Sequence, residues 1–128
     1  YPEPTAGKLI AGNTNQQVYY HKLQTQQTAD VLVYEEKENP KRTFSAWTTE
    51  DENSMIISCA QGASSFNAIY YKDLSNQKAE IQKLIPTFEF EYDVIEKVDS
   101  RLLVKTNQKA ARYKIISIDL KKPDPANW

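Results

Sequence analysis

The first candidates for chemistry in this sequence are its single histidine, His21, its single cysteine, Cys59, and its serines. Hydrolysis through a serine nucleophile needs a histidine base and an orienting acid beside it, and a nucleophile elbow needs glycines on both sides of the serine. The three glycines, Gly7, Gly12 and Gly62, bracket no serine in a Gly-x-Ser-x-Gly pattern. The sequence therefore predicts no catalytic triad and no catalytic residue in this chain.

Metal and cofactor sites have little support in the residue pattern. A zinc site needs several Cys or His ligands, whereas this chain has one of each, 38 residues apart. Glu89, Glu91 and Asp93 alternate along a predicted strand, which would put three carboxylates on one strand face. Such a face is either solvated or a calcium site, and solvation is the better interpretation. With no glycine-rich phosphate loop either, we expect no metal and no cofactor.

A weak internal repeat indicates the kind of secondary structure in which the candidate residues lie. The segment VYYHKL at 18–23 returns as IYYKDL at 69–74 and, more loosely, as KIISIDL at 114–120. The closing leucines are 51 and 46 residues apart. A repeat of that length, built from short β-type segments, is typical of propeller blades, each a small four-stranded sheet. A chain of 128 residues then holds about two to three blades, too few to close a ring.

The local pattern predicts strands throughout. Val, Ile, Tyr, Phe, Trp and Thr are concentrated in short runs, with Pro, Asn, Asp, Gly and Ser between them. We predict strands near 18–23, 31–36, 43–48, 55–60, 68–73, 80–85, 88–95, 101–106 and 113–120. Helical periodicity is poor. Only Ala79 to Leu84 could form a helical turn, and a strand end suits that segment as well.

Charge and hydropathy argue against two classes of partner. The net charge is −1 with both signs mixed along the chain, so we expect neither a nucleic-acid surface nor an anionic-membrane surface. No apolar run reaches the roughly 18–20 residues that a membrane-spanning helix needs. The mean hydropathy of −0.67 is low, as expected where absent neighbours supply apolar burial. The opening Tyr1 to Pro4 is typical of an interior linker, so we expect part of a larger protein.

The repeated segments belong to a longer series of motifs. In chain order the series comprises Tyr19–Leu23, Thr25, Gln26, Asp30–Glu35, Met55–Ser58, Gly62, Asn67, Tyr70–Leu74, Phe88–Tyr92, Lys105–Asn107, Tyr113–Ile115, Ile118, Asp119, Asn127 and Trp128. With these motifs the chain resembles the prolyl oligopeptidase (prolyl endopeptidase) family of serine peptidases over nearly its whole length. Each motif alone is weak, and their common order is what makes the resemblance specific.

The resemblance implies a two-domain hydrolase. In that family an α/β-hydrolase domain with a Ser-Asp-His triad cleaves short peptides after proline, and an inserted seven-bladed propeller caps the active site. This chain would be a non-catalytic fragment of the propeller that excludes large folded substrates by steric gating. Its partners would be the hydrolase domain, the remaining blades and, in the intact enzyme, proline-containing peptides. The compartment stays open, cytoplasmic or periplasmic for the parent enzyme.

The expected fold is all-β, a propeller fragment of about two to three four-stranded antiparallel blades. Residues 1–17 would be a linker from the preceding blade and 18–42 a partial blade. Residues 43–86 would form a full blade, and 87–128 a blade that lacks its outermost strand. For packing between blades we predict Tyr20, Tyr34, Trp47, Ile57, Ile69, Tyr71, Leu103 and Ile116.

The resemblance also implies a loop that faces the catalytic cavity, formed here by Ala60, Gln61, Gly62 and Ala63. Mammalian-like members place an arginine and a cysteine at the positions of Ala60 and Ala63. The chain lacks those two side chains, which weakens the expectation of a substrate contact from this loop.

A function of another class stays open, a free-standing all-β module that presents an edge or a loop face to a peptide or protein. A complete module should finish its last sheet, whereas this chain stops at Trp128, where the family continues into the outermost strand of a blade. That comparison favours the fragment. Because a cut propeller exposes a strand edge and apolar blade faces, we also expect the isolated chain to self-associate.

Overall fold

The computed structural model describes residues 13–128, which form nine strands and two single-turn 3-10 helices. The strands are β1 (Gln17–Tyr20), β2 (Val31–Glu35), β3 (Arg42–Thr48), β4 (Ser54–Gln61), β5 (Asn67–Asp73), β6 (Gln82–Ile85), β7 (Tyr92–Val98), β8 (Arg101–Thr106) and β9 (Lys114–Asp119). The 3-10 helices span Gln27–Ala29 and Pro125–Asn127. Neither of these helices has the length or apolar character to cross a membrane. Most of the predicted linker, 1–17, lies outside the described residues.

All nine predicted strands are present, and the largest differences in bounds are at the first strand, which ends at Tyr20 and not at 23, and at the seventh. Of the two alternatives for Ala79 to Leu84, a helical turn or a strand end, the structure has the strand, since β6 spans Gln82–Ile85. The seventh strand begins at Tyr92, four residues after the predicted start at 88. Glu89 and Glu91 therefore precede β7, and the prediction that they share one strand face with Asp93 is wrong.

The late start of β7 has a physical cause in a side-chain amide. The N–H of Glu91 donates to Oδ1 of Asn107 at 2.9 Å, and the N–H of Tyr92 donates to Oδ1 of Asn67 at 2.8 Å. The bond from Glu91 satisfies a backbone group that a longer strand would pair with a neighbour. The chain before Tyr92 therefore bends as a loop and does not extend the ladder.

The described residues divide into two compact units, one ending at Phe44 and the other beginning at Ser45, so the division falls within β3. In the first unit β1 and β2 form an antiparallel pair. Gln16, just before β1, bonds both backbone groups of Phe44. Its Nε2 donates to the Phe44 carbonyl at 3.0 Å, and the Phe44 N–H donates to its Oε1 at 2.7 Å. The ring of Tyr34 meets Phe44 edge to face, with 5.1 Å between centroids.

The second unit contains two antiparallel sheets. The first has the strand order β3-β4-β5-β6 and the second the order β7-β8-β9, so consecutive strands are neighbours throughout. Both sheets are thus built from local hairpins, the connection that antiparallel strands favour. In the first sheet Ile56 pairs with Tyr71, and in the second Leu102 pairs with Ile118 and Val104 with Ile116.

The hydrophobic core of the second unit lies between its two sheets. Because side chains alternate along a strand, each sheet contributes one face to this core. Its members are Ile56, Ile69, Tyr71, Leu84, Ile85, Tyr92, Leu102, Val104, Ile116 and Ile118, all buried. Fully burying one large apolar side chain contributes about 1.5–3 kcal/mol. The contact between adjacent sheets is therefore a main source of stability in this unit.

An ion pair also joins the two sheets. Lys97 Nζ in β7 lies 2.5 Å from Oδ2 of Asp51, in the turn between β3 and β4, and the Lys97 side chain is only 10% exposed. The Thr49 hydroxyl donates to the other Asp51 oxygen at 2.6 Å. The hydrogen bond from Lys97, followed by that from Thr49, holds the pKa of Asp51 well below its usual range.

We expect Asp51→Asn to make the stability of the chain less sensitive to acid. The pKa of Asp51 is lower in the folded chain than its ordinary value of about 3.9. The ionised group therefore stabilises the fold above that ordinary value, and the contribution is lost as pH falls toward the folded pKa. Urea unfolding between pH 5 and pH 2 should show a shallower loss of unfolding free energy in the variant. Asp99→Asn, at an exposed turn residue, is the control, and identical pH profiles for Asp51→Asn and wild type would contradict the role.

Candidate functional site

Three connections lie together at one end of the two sheets in the second unit. They are 62–66 between β4 and β5, 86–91 between β6 and β7, and 107–113 between β8 and β9. We call this end the rim. Glu91 joins the three connections, because its carboxylate accepts hydrogen bonds from the Tyr113 and Ser65 hydroxyls and its N–H donates to Asn107. A single carboxylate thus organises the rim across two sheets.

The electrostatics of the rim centre on Glu91 and Tyr113. The hydrogen bonds from Ser65 and Tyr113, with the nearby charge of Lys105, hold the pKa of Glu91 below its ordinary value. The same bond to Glu91 raises the pKa of Tyr113. A carboxylate held in its ionised form by two hydroxyl donors is a weak base, which does not suit general base catalysis near neutral pH. Glu91 is therefore suited to organising the rim.

The rim contains a shallow pocket of about 400 Å³. Its lining residues are Ser58, Ala60, Ser65, Asn67, Glu91, Tyr92, Asp93, Lys105 and Tyr113. Lys105 Nζ lies 3.8 Å from Oδ2 of Asp93 and 5.3 Å from the centre of the Tyr113 ring. Hydroxyls, carboxylates and one ammonium are groups that bind polar or charged groups of a partner through hydrogen bonds. In the part of the chain that the structure describes, no three His, Cys, Asp or Glu residues are grouped to hold a metal ion.

Asn67 fixes the position of the rim pocket between the two sheets. Its Nδ2 donates to the Tyr92 carbonyl and to Oγ of Ser58, each at 2.8 Å, and its Oδ1 accepts from the Tyr92 N–H. The side chain thus pairs with both backbone groups of Tyr92. Asn67 is one of the residues that carry the family resemblance, but its neighbours in the sequence do not distinguish it from an ordinary turn asparagine.

We expect Glu91→Gln to lower the pKa of Tyr113 toward that of an exposed tyrosine. The substitution removes the negative charge that disfavours ionisation of the neighbouring phenol. Titration of ¹³Cζ-labelled tyrosines by NMR measures the change, with the Tyr113→Phe variant identifying the signal. Asp93→Asn changes a carboxylate of the same pocket that does not bond Tyr113, and should leave that pKa nearly unchanged. A Tyr113 pKa that is the same in Glu91→Gln and wild type would contradict the arrangement.

The predicted cavity-facing loop lies at the rim. Ala60 and Gln61 are the last residues of β4, and Gly62 and Ala63 begin the connection to β5. Ala60 lines the rim pocket. Gly62 has φ +67°, a left-handed conformation that explains the glycine, although a Cβ there would meet no atom within 4 Å. The assignment of these residues to a catalytic cavity stays a prediction.

Four of the residues predicted for packing between blades are buried in the second unit. Ile69, Tyr71 and Ile116 lie in the core between the two sheets. Ile57 is fully buried on the face of β4 opposite to Ile56, since successive strand residues alternate.

The other four predicted packing residues are more accessible. Tyr20 in the first unit is 62% exposed and Trp47 in the second is 39% exposed. Tyr34 and Leu103 are half-buried, and Leu103 lies on the face of β8 away from the core. Packing of these residues against further blades stays a prediction.

A histidine–carboxylate pair in the first unit has no clear sign in the sequence. His21 Nδ1 lies 2.6 Å from Oδ1 of Asp30. A carboxylate at this position orients an imidazole, as in a triad. However, the Thr25 hydroxyl donates to the Lys22 carbonyl at 2.6 Å, and within residues 13–128 no hydrogen bond joins His21 to a Ser, Thr or Cys. Among the described residues the pair has no nucleophile bonded to it, so it does not form a triad.

Comparison with known proteins connects this architecture to a family. A family model described as the prolyl oligopeptidase N-terminal β-propeller domain matches residues 1–128, the whole chain. The chain belongs to this prolyl oligopeptidase family. The prediction of an all-β propeller fragment is thereby confirmed.

Relatives of this prolyl oligopeptidase propeller share about 30% of its residues. Prolyl oligopeptidase A of Amanita bisporigera is 32% identical over 92% of the chain, which spans 16% of that protein. The prolyl endopeptidase of Elizabethkingia miricola is 30% identical over the full chain, which spans 18% of it. A solved structure of Galerina marginata prolyl oligopeptidase B, bound to a 35mer hydrolysis and macrocyclization substrate, aligns with 93% of the chain at 28% identity and a TM-score of 0.83. The matched propeller segment is thus one part of much longer peptidase chains.

Proposed function

We propose that this chain is a non-catalytic part of the propeller of a prolyl endopeptidase-like serine peptidase that hydrolyses short peptides after proline. The full-length match to the propeller family carries this proposal. Two further facts support it. The chain spans only 16–18% of relatives that are named as prolyl oligopeptidases and endopeptidases, and its sequence has no Gly-x-Ser-x-Gly elbow. The triad and the hydrolase domain would belong to the rest of the parent protein.

In this proposal the three sheets are consecutive blades. Residues 18–42 would supply part of one blade, 43–86 a full blade, and 87–128 a blade without its outermost strand. The two-stranded, four-stranded and three-stranded sheets support these ranges. The outer face of the last sheet, which includes Leu103 and the 64% exposed Ile115, would meet the next blade of the parent.

The role that we propose for this segment is steric gating by the cap. The rim would face the hydrolase domain, with Ala60, Gln61, Gly62 and Ala63 beside the peptide cavity. The bonds of Glu91 to residues of the other two connections support a rim of fixed shape, because a wall that excludes folded substrates must not yield to them. Proline-containing peptides would enter the cavity, whereas folded proteins would not.

A chimeric enzyme tests the proposal directly. The chain would replace the matching segment of the Elizabethkingia miricola prolyl endopeptidase. That segment aligns with the whole of this chain. We expect the chimera to hydrolyse a proline-containing chromogenic peptide and to leave a stably folded proline-containing protein intact. The chain alone should hydrolyse neither substrate.

Two controls make the chimera informative. A chimera whose catalytic serine is replaced by alanine must lose all hydrolysis, which excludes a contaminating peptidase. A second chimera that carries Glu91→Gln and Tyr113→Phe loosens the rim, and we expect it to lose part of its discrimination against the folded substrate. Hydrolysis by the purified chain alone would overturn the non-catalytic role. A folded chimera that cleaves the folded protein as fast as the peptide would overturn gating.

We expect the isolated chain to self-associate. The outer edge of β9 has no paired strand among the described residues, and Ile115 on that strand is 64% exposed. An accessible apolar edge strand is a template for pairing with another chain. Light scattering across a concentration series should show oligomers, and Ile115→Lys should shift them toward monomer. A wild-type monomer at high concentration would contradict this and favour a free-standing binding module.

A further inference from the structure

A second groove of the second unit, separate from the rim pocket, lies between β3 and β7. It has a volume of about 400 Å³ and is lined by residues 47–50 and 94–97. Each of these strands is the first of its sheet, and within residues 13–128 β3 pairs with β4 alone and β7 with β8 alone. The strands beside the groove are therefore edge strands. Edge strands present backbone N–H and C=O groups that can pair with an added extended chain.

The groove has an exposed apolar surface. Trp47 is 39% exposed and Ile95 is 51% exposed, and both line the groove. The pairing of β7 with β8 shifts between Val94 and Glu96, which leaves Ile95 as the extra residue of a β-bulge. A bulge re-aims a side chain relative to its sheet. Ile95 is thus an apolar residue that lines a groove and does not join the core.

The charges of the groove are unbalanced. Glu50 and Glu96 are exposed and line it. Its one cationic lining residue is Lys97, and the Lys97 ammonium lies 2.5 Å from Asp51. Since Asp51 compensates the charge of Lys97, the two glutamates give the groove a net negative charge. An aromatic surface next to uncompensated carboxylates favours a cationic group.

We propose that this groove binds an extended peptide segment that carries a basic side chain. The peptide backbone would pair with an edge strand, β3 or β7, and the aliphatic stem of the basic side chain would lie on Trp47 and Ile95. The cationic head would lie over the Trp47 ring, within reach of Glu50 and Glu96. Arginine fits better than lysine, because a planar guanidinium stacks on an indole and bonds carboxylates in pairs.

A matched peptide pair tests the proposal. One fluorescein-labelled peptide, Ala-Val-Thr-Arg-Val-Thr-Ala, carries arginine, and its twin carries citrulline, which has nearly the same shape and no charge. Fluorescence anisotropy with the wild-type chain should show about tenfold tighter binding of the arginine peptide. Trp47→Leu, which keeps an apolar surface, and Glu96→Gln should each weaken binding of the arginine peptide about threefold to fivefold. Glu80→Gln, an exposed glutamate outside the groove, should bind it as the wild type does.

Two results of these titrations would contradict the proposal. Equal affinity for the arginine and citrulline peptides would overturn it, and so would unchanged arginine binding in both Trp47→Leu and Glu96→Gln. Circular dichroism verifies the fold of each variant, and Glu96→Gln alters only an exposed side chain. Because the peptides contain no proline and no cleavage is measured, the result does not depend on the proposed peptidase function. A failed chimera and a failed peptide titration are therefore separate findings.

Discussion

Replacing Ile118 with alanine should destabilise the second unit by about 3 kcal/mol, because large-to-small changes in a packed core cost about 2–5 kcal/mol. Ile118 is fully buried between the two sheets and pairs in register with Leu102. Alanine at this position would leave a cavity where two small sheets meet, and the surrounding strands cannot close it without breaking their pairing. We therefore expect a large loss of stability from this single substitution.

The same strand offers a matched control. Ile115 is also in β9 but is 64% exposed, so Ile115→Ala should cost less than about 1 kcal/mol. Urea unfolding followed by tryptophan fluorescence suits the test, since Trp128 packs against the core. Similar losses for the two variants would show that the contact between the sheets does not stabilise the unit.

The fold of this chain is readable from its sequence to the extent that it depends on local pattern. Short β-type runs and turn residues identify all nine strands, and the repeat indicates a propeller, because both signals lie within a few residues or at a fixed period. It is harder to predict which face of a strand lies in the core. Residues 102–104 read Leu-Leu-Val, so the pattern allows two faces, and only the pairing with β9 places Leu102 and Val104 in the core. Leu103 lies on the other face for that reason.

The rim and the ties between sheets depend on contacts that no local pattern shows. Glu91 and Tyr113 are 22 residues apart and Asp51 and Lys97 are 46 residues apart. Residues 88–95 have the composition of a strand, and the strand starts only at Tyr92, because the N–H of Glu91 bonds the side chain of Asn107, 16 residues further along the chain. The site residues that the family resemblance implies lie in one loop, 60–63, whereas the structure shows three connections that the Glu91 carboxylate joins.

The amide contact of Asn67 occurs twice in the chain. Gln16 bonds both backbone groups of Phe44, as Asn67 does with Tyr92. The two amides are 51 residues apart, the same step that separates Leu23 from Leu74 in the repeat. In each case the amide lies at the start of a strand and bonds both backbone groups of one residue, 28 positions later for Gln16 and 25 positions later for Asn67. The repeat therefore includes a side-chain contact as well as the strands themselves.

Asn67→Ala should destabilise the second unit by about 2–3 kcal/mol. The change removes three hydrogen bonds and leaves both backbone groups of Tyr92, a residue that is only 5% exposed, without this partner. Ser58→Ala is the matched control, because it removes one of the three bonds and leaves the pairing with Tyr92, so it should cost less than about 1 kcal/mol. Urea unfolding gives the free energies.

Amide hydrogen exchange then separates this link from a general loss of packing. In Asn67→Ala the Tyr92 N–H should exchange much faster, since its acceptor is gone, while the Phe44 N–H keeps its rate. Gln16→Ala should do the reverse, with fast exchange at Phe44 and an unchanged rate at Tyr92. If both variants accelerate both amides equally, the amides do not act as separate links. Opposite patterns mean that each amide holds its own backbone partner independently of the other.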